Sequence, residues 1–241
     1  MDELSRFQRP RFARMYERTS AESERRGTAG HRRVLLAGLS GSVVEVGAGN
    51  GMNFGHYPPE VAEVVAVEPE DILRGLAESA ARRAPIPIRV VAGHADALPA
   101  PDARFDAAVV SLVLCSVPDQ RRGLAELRRV LKPGGELRFF EHVRSAMWWR
   151  ALVQDAVSPL WSRMAGGCHL NRDTAEAIRR AGFQIDRLDE VVYSPDRGLP
   201  AMRHILGSAR AGAAPPPATR AARRRGRGSR GTGGSGPAAR W

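Results

Sequence analysis

Short apolar runs alternate along this chain with longer stretches in which apolar side chains recur three and four positions apart. The runs are SVVEVG (42–47), EVVAVE (63–68), IRVVAG (88–93), FDAAVVSLVL (105–114) and GELRFFEH (135–142). They are rich in Val, Ile and Phe, as strands covered on both faces should be. The intervening stretches predict helices. ILRGLAESAARRA follows the second run, and QRRGLAELRRVL follows the fourth with Leu124, Leu127 and Leu131 on one face. KPGG (132–135) is expected to end that helix and turn the chain into the fifth strand. Further on, DTAEAIRRAG (173–182) reads as a short helix, with Asp173 as its N-cap, Glu176 three residues later and Gly182 as its stop. FQIDRLDEVVY and RHILGSA read as two closing strands, joined by a Pro- and Gly-containing stretch that permits an antiparallel pair. Strand and helix in alternation predict a parallel sheet with helices on its faces. Residues 1–35 read as helical and basic, packed across the upper edge of that sheet.

Composition narrows the class. With 241 residues, 43% of them hydrophobic, the chain suits one domain with extensions. Its two cysteines, Cys115 and Cys168, make no disulfide framework and fit a reducing compartment. No run approaches the length of a membrane span, and MDELSRFQRPRF lacks the apolar core of a signal peptide. A cytoplasmic protein is expected. The formal charge of +11 is uneven: residues 210–241 hold eight arginines and no acid, which leaves 11 − 8 = +3 for residues 1–209. That Ala-, Pro-, Gly- and Arg-rich tail has little to bury and is expected to be disordered. It is the one part suited to nucleic acid or an anionic surface.

The chemistry begins where the first strand meets Gly47, Gly49 and Gly51. A nicotinamide-binding turn would carry a third glycine where Met52 stands, and a phosphate loop would end in Gly-Lys-Ser or Gly-Lys-Thr. Glu45, inside the strand, repels pyrophosphate and favours a cationic ligand. Glu68 closes the second strand, about 20 residues beyond the glycines, at the place where a carboxylate takes ribose hydroxyls. Asp96, with Ala97 and Leu98, offers an acceptor and an apolar contact to an adenine. S-adenosylmethionine, cationic and free of phosphate, matches this set.

VVEVGAGNG, VAVEP, AGHADALP, FDAAVVSLVLCSV and RRVLKPGGELRFFEHV, in that order, resemble the class I S-adenosylmethionine-dependent methyltransferases over roughly residues 10–209. The resemblance implies a Rossmann-like α/β fold, a seven-stranded sheet of order 3-2-1-4-5-7-6 with its last strand antiparallel. It implies a cofactor site made of Glu45, Gly47, Ala48, Gly49, Gly51, Asn53, Glu68, Pro69, Asp96, Ala97 and Ser111, with Tyr16 as a cover from the N-terminal segment. The domain would run over 36–209, between the covering segment 1–35 and the tail 210–241. NFGHYP, SLVLCSV, EHV, the Trp-bearing stretch and GGCHLNRDT also resemble the group that includes thiol S-methyltransferases, although Gly166 stands where members tend to have an acid.

Methyl transfer from a sulfonium needs alignment and exclusion of water more than a nucleophilic residue. The acceptor is expected to be a small, lipophilic molecule, a thiol or similar. Cys115, Trp148, Trp149 and Trp161, with Leu152, Leu160 and Met164, are candidates to line its pocket, and His142 and His169 are candidate bases. No metal is expected, since Cys168 and His169 have no further ligand at a fitting spacing. Two alternatives remain: an RNA methyltransferase recruited by the basic tail, and a binding scaffold that kept the fold.

Overall fold

The computed structural model describes residues 3–194 and 200–212. Seven strands form one sheet in the order β3-β2-β1-β4-β5-β7-β6. They are β1 (Gly41–Val46), β2 (Val61–Val67), β3 (Ile88–Val91), β4 (Phe105–Ser111), β5 (Leu131–His142), β6 (Phe183–Tyr193) and β7 (Met202–Ala211). The first five run parallel, while β7 is antiparallel to both β5 and β6. The expected order and the single reversed strand are both present.

The pleat sends alternate residues of the central strands into two cores. Val44 and Val46 of β1 face a layer holding Leu124, Leu127 and Val130 of α4 (Gln120–Val130) and Ile178 of α6 (Thr174–Arg180). Val43 faces the other layer, with Leu35 and Leu36 of α2 (Ala29–Leu36) and Ala77 of α3 (Asp71–Ala81). The expected cap of α6 forms: the Asp173 carboxylate accepts from the Glu176 N–H at 3.0 Å. Ahead of α2, α1 (Pro10–Ser23) runs into a wide turn of helix, Glu24–Thr28, kinked at Gly27 with φ +123°.

Three boundaries differ from expectation. The fourth strand stops at Ser111 and not at 114, because Leu112 takes φ +60° and the following N–H groups turn to a side chain. Leu131 leaves the helix to pair with Phe105, so KPGG lies within β5 as a bulge between two paired stretches. The tail boundary also moves: Arg210 and Ala211 belong to β7, paired with Gln184 and Phe183 of β6. The rest of the expected tail, 213–241, lies outside the described residues. No helix among the described residues is long and apolar enough to cross a membrane.

Candidate active site

Parallel strands leave their ligand edge where their carboxyl ends meet helices and loops. Here β1 ends in a bend whose Gly47 and Ala48 N–H groups both donate to the Val67 carbonyl of β2, at 2.8 and 3.2 Å. Gly47 has φ +71°, and a Cβ there would lie 2.5 Å from Val113 Cγ2. Only glycine holds this bend and leaves its backbone open. Gly51 does different work: its missing side chain admits Ala80 of α3 and the Phe54 ring, whose nearest atoms would stand 2.7 and 2.9 Å from a Cβ.

Glu68, just past β2, closes the bend from beneath. Its Oε2 accepts from the Gly49 N–H at 2.8 Å and its Oε1 from the Glu70 N–H at 3.0 Å. Burial raises its pKa to about 7, against the lowering effect of those two N–H groups. Asp96 follows β3. One of its oxygens lies 3.6 Å from the Arg6 guanidinium, and the other, Oδ1, is buried with no hydrogen-bond partner among the described residues.

These groups surround a cavity of about 380 Å³ at the edge of the sheet. Of the residues proposed from the sequence, Tyr16, Gly47, Gly49, Glu68, Pro69, Asp96 and Ser111 line it. The N-terminal segment roofs it with Phe7 and Tyr16, the Phe7 ring stacking on His94 at 4.8 Å between centroids. Gln8 fastens that roof, donating to the Pro69 carbonyl at 2.9 Å and accepting from the Asp71 N–H at 3.1 Å.

Other expected residues are placed elsewhere. Glu45, Ala48, Gly51, Asn53 and Ala97 do not line the cavity. Glu45 is buried beneath the bend, where the Tyr57 hydroxyl donates to it at 2.7 Å and the Asn53 amide at 2.9 Å. Burial holds its pKa near 7. Its carboxylate therefore braces the bend through its neighbours. Asn53 in turn accepts from buried Arg32 at 2.8 Å, whose Nε donates to Glu24 at 2.8 Å and whose guanidinium reaches Ser111 Oγ at 3.3 Å. Arg32 thus ties the N-terminal segment to the glycine bend and the end of β4. The sequence reading missed it, and nothing in the local HRR string separates it from Arg33.

Beyond β4, the buried Glu141 carboxylate accepts from the N–H groups of Val113, Leu114 and Cys115 at 2.9–3.0 Å. It shapes the loop that forms one cavity wall. Burial raises its pKa to about 7. Its neighbour His142, one of the two candidate bases, is buried outside the cavity, with Nδ1 4.0 Å from the Cys168 sulfur. Cys115 is buried outside the cavity as well. A hydrogen bond with Cys115, helped by His142, lowers the Cys168 pKa and raises that of Cys115. His169 lines a second groove, beside the first cavity, and burial lowers its pKa. Trp148, Trp149 and Trp161 line neither space. All three lie on α5 (Trp148–Met164), where Trp148 and Trp149 point to solvent and Trp161 is half-buried.

An unpartnered acceptor on Asp96, a bare glycine bend and a buried carboxylate suit a nucleoside with an exocyclic amine and free ribose hydroxyls. Residues 44–139 match a family model described as a methyltransferase domain. Thiol S-methyltransferase TMT1B of Rattus norvegicus is 37% identical over 182 residues, covering 72% of this chain and 73% of its own. This chain belongs to the class I S-adenosylmethionine-dependent methyltransferases. Its cofactor is S-adenosylmethionine. A second relative of the methyltransferase, thiol S-methyltransferase TMT1A of Homo sapiens, is 36% identical over 65% of this chain and 66% of its own. Two solved structures share the fold at low identity. A methyltransferase of Thermotoga maritima superposes with TM-score 0.63 at 21% identity, over 83% of this chain and 96% of its own. The [4+2]-cyclase SpnF superposes with TM-score 0.59 at 22% identity, over 77% and 82%.

Proposed function

We propose that this methyltransferase transfers the methyl group of S-adenosylmethionine to the sulfur of a small, lipophilic thiol. The observation that carries this reading is the 37% identity to a thiol S-methyltransferase, sustained over nearly three quarters of both chains. When bound, S-adenosylmethionine supplies a methyl group already activated on a sulfonium. The work left to the chain is to hold, orient and keep dry.

Glu68 is the acceptor for the two ribose hydroxyls, since each of its oxygens keeps a lone pair after taking one N–H. Asp96 Oδ1 takes the adenine amine, and Phe7 and Tyr16 cover the nucleoside. Phe12, Leu112, Val113, Val117 and Pro118 give the rest of the cavity an apolar wall, which suits an alkyl or aryl thiol and excludes water. A thiol reacts as its thiolate, so its proton must leave. His169 is the candidate to take it. Its lowered pKa keeps the ring neutral near pH 7, and it lies in the groove that adjoins the cavity. Buried His142 and half-buried Cys168 have a different part, as a pair behind the wall.

The test is a methyl-transfer assay with labelled S-adenosylmethionine and purified protein, against alkyl thiols, phenols, amines, quinols and RNA. The reading expects label on the thiols. Label confined to any other class, or to RNA, would overturn it.

A further inference from the structure

Helix α5 is built inside out. Its inward side is small and polar: Ala151 and Ser158 are buried, the Ser158 hydroxyl accepts from the Leu170 N–H at 3.1 Å, and Asp155 pairs with Arg144 and Asn171. The outward side carries Trp148 (75% exposed), Trp149, Leu152, Val153, Leu160 (62%) and Met164 (66%). At 100° per residue these fall within one half of the helix surface. An apolar stripe turned to solvent, broken on that half only by Arg163 near its end, marks a surface that something covers.

The stripe does not stop at the helix end. Met164 forms one wall of the second groove, and exposed Met15 of α1 forms another. That groove also holds Arg9, Arg11 and Arg163, with no acidic residue among its lining. Arg150 stands at the other end of the helix, and Arg14 and Arg18 are exposed along α1. Apolar side chains ringed by arginines, with two tryptophans at one helix end, are what a membrane surface of negative charge would take up. The rings and alkyl chains enter the headgroup boundary while the guanidiniums meet phosphates.

We propose that α5, with the adjoining face of α1, is the surface by which this protein lies on an anionic lipid bilayer. The groove and the cofactor cavity share Arg9, Phe12, Ser116 and Pro118 as walls. A protein seated on this face turns the way into its active site toward the lipid. The surface stands on its own observations, whatever atom accepts the methyl group.

The experiment uses the full chain and extruded vesicles of phosphatidylcholine, with and without phosphatidylglycerol. The wild type should sediment with the anionic vesicles, and brominated acyl chains should quench its tryptophan fluorescence. The variant Leu152→Glu/Leu160→Glu, altered only at exposed positions, should bind at least tenfold more weakly and lose the quenching, with its thermal melt unchanged. Equal binding by both chains without quenching would overturn the proposal, because arginines elsewhere would then be holding the lipid. Absence of vesicle binding, together with self-association that the variant abolishes, would also overturn it and make α5 a contact between two copies.

Discussion

Replacing Glu68 by Gln separates what this carboxylate does for the fold from what it does for the cofactor. In the folded chain it takes two N–H groups, a half-buried one from Gly49 in the bend and a buried one from Glu70 two residues on. A glutamine has one oxygen and one NH2, so it can satisfy only one of them. Leaving the other unpaired costs about 1–3 kcal/mol, whereas Glu68→Ala orphans both and costs about twice that. Against the roughly 5–15 kcal/mol that holds a domain together, the Gln variant should fold and the Ala variant should be marginal. With Glu68 on the ribose as proposed, Glu68→Gln should lose a charge-assisted bond worth about 1.5–3 kcal/mol, or roughly a 10- to 150-fold rise in Kd.

The raised pKa adds a second signature. A ribose held as proposed favours the ionised carboxylate, whose pKa without cofactor is about 7. Raising the pH from 6 to 8 should therefore tighten wild-type binding by about tenfold, and the Gln variant should show no such step. The readout is titration calorimetry with S-adenosylmethionine across that range, beside thermal melts of each variant. A Gln variant with the wild-type Kd, together with a flat wild-type pH profile, would remove Glu68 from the ribose.

Three further outcomes follow from other parts of the site. Gly51→Ala places a methyl 2.7 Å from Ala80 at φ +80°, and strain plus overpacking of about 2–4 kcal/mol should lower the melting temperature by roughly 4–16 °C. Gly55→Ala, with open space around it, should melt like the wild type; equal melts for both would refute the packing role. Arg32→Met takes the arginine partner from half-buried Glu24, leaves buried Asn53 without its donor and removes a positive charge near Glu45, so thermal unfolding should show a loss of about 3–5 kcal/mol, and a loss under 1 kcal/mol would contradict the tie. Cys168, its pKa held low beside Cys115 and His142, should be alkylated by iodoacetamide at a pH below that of an ordinary thiol, while Cys115 resists. Mass spectrometry of the labelled peptides decides this, and a higher alkylation midpoint for Cys168 than for a free thiol would overturn it.

The strands were legible because Val-rich runs between Gly and Pro have few other uses, and the glycine bend was legible because phosphate-binding turns need residues this chain lacks. The supports of the site were not. Glu45 looked like a ligand contact since a negative charge close to the glycine turn suits a cationic cofactor, and only the fold reveals Tyr57 and Asn53 closing on it. Glu141 was overshadowed by His142, although it is the carboxylate that gathers three N–H groups after β4. The tryptophans of α5 misled for a different reason. Apolar helix faces usually turn inward, and this one turns outward because Ser158, Gln154 and Asp155 on its other side are satisfied by Leu170, Ser145, Arg144 and Asn171. No periodicity argument can tell a stripe that seeks the core from one that avoids it.

Because β7 runs against its neighbours, it begins beside His142 and finishes beside Glu136. Whatever comes after Gly212 therefore departs from the opposite rim of the sheet to the one that holds the cavity, about 20 Å away at 3.3 Å per residue along β5. The arginine-bearing extension is rooted on the back of the molecule. Cargo held at that root would stand about 20 Å from the rim where the methyl group is handed on.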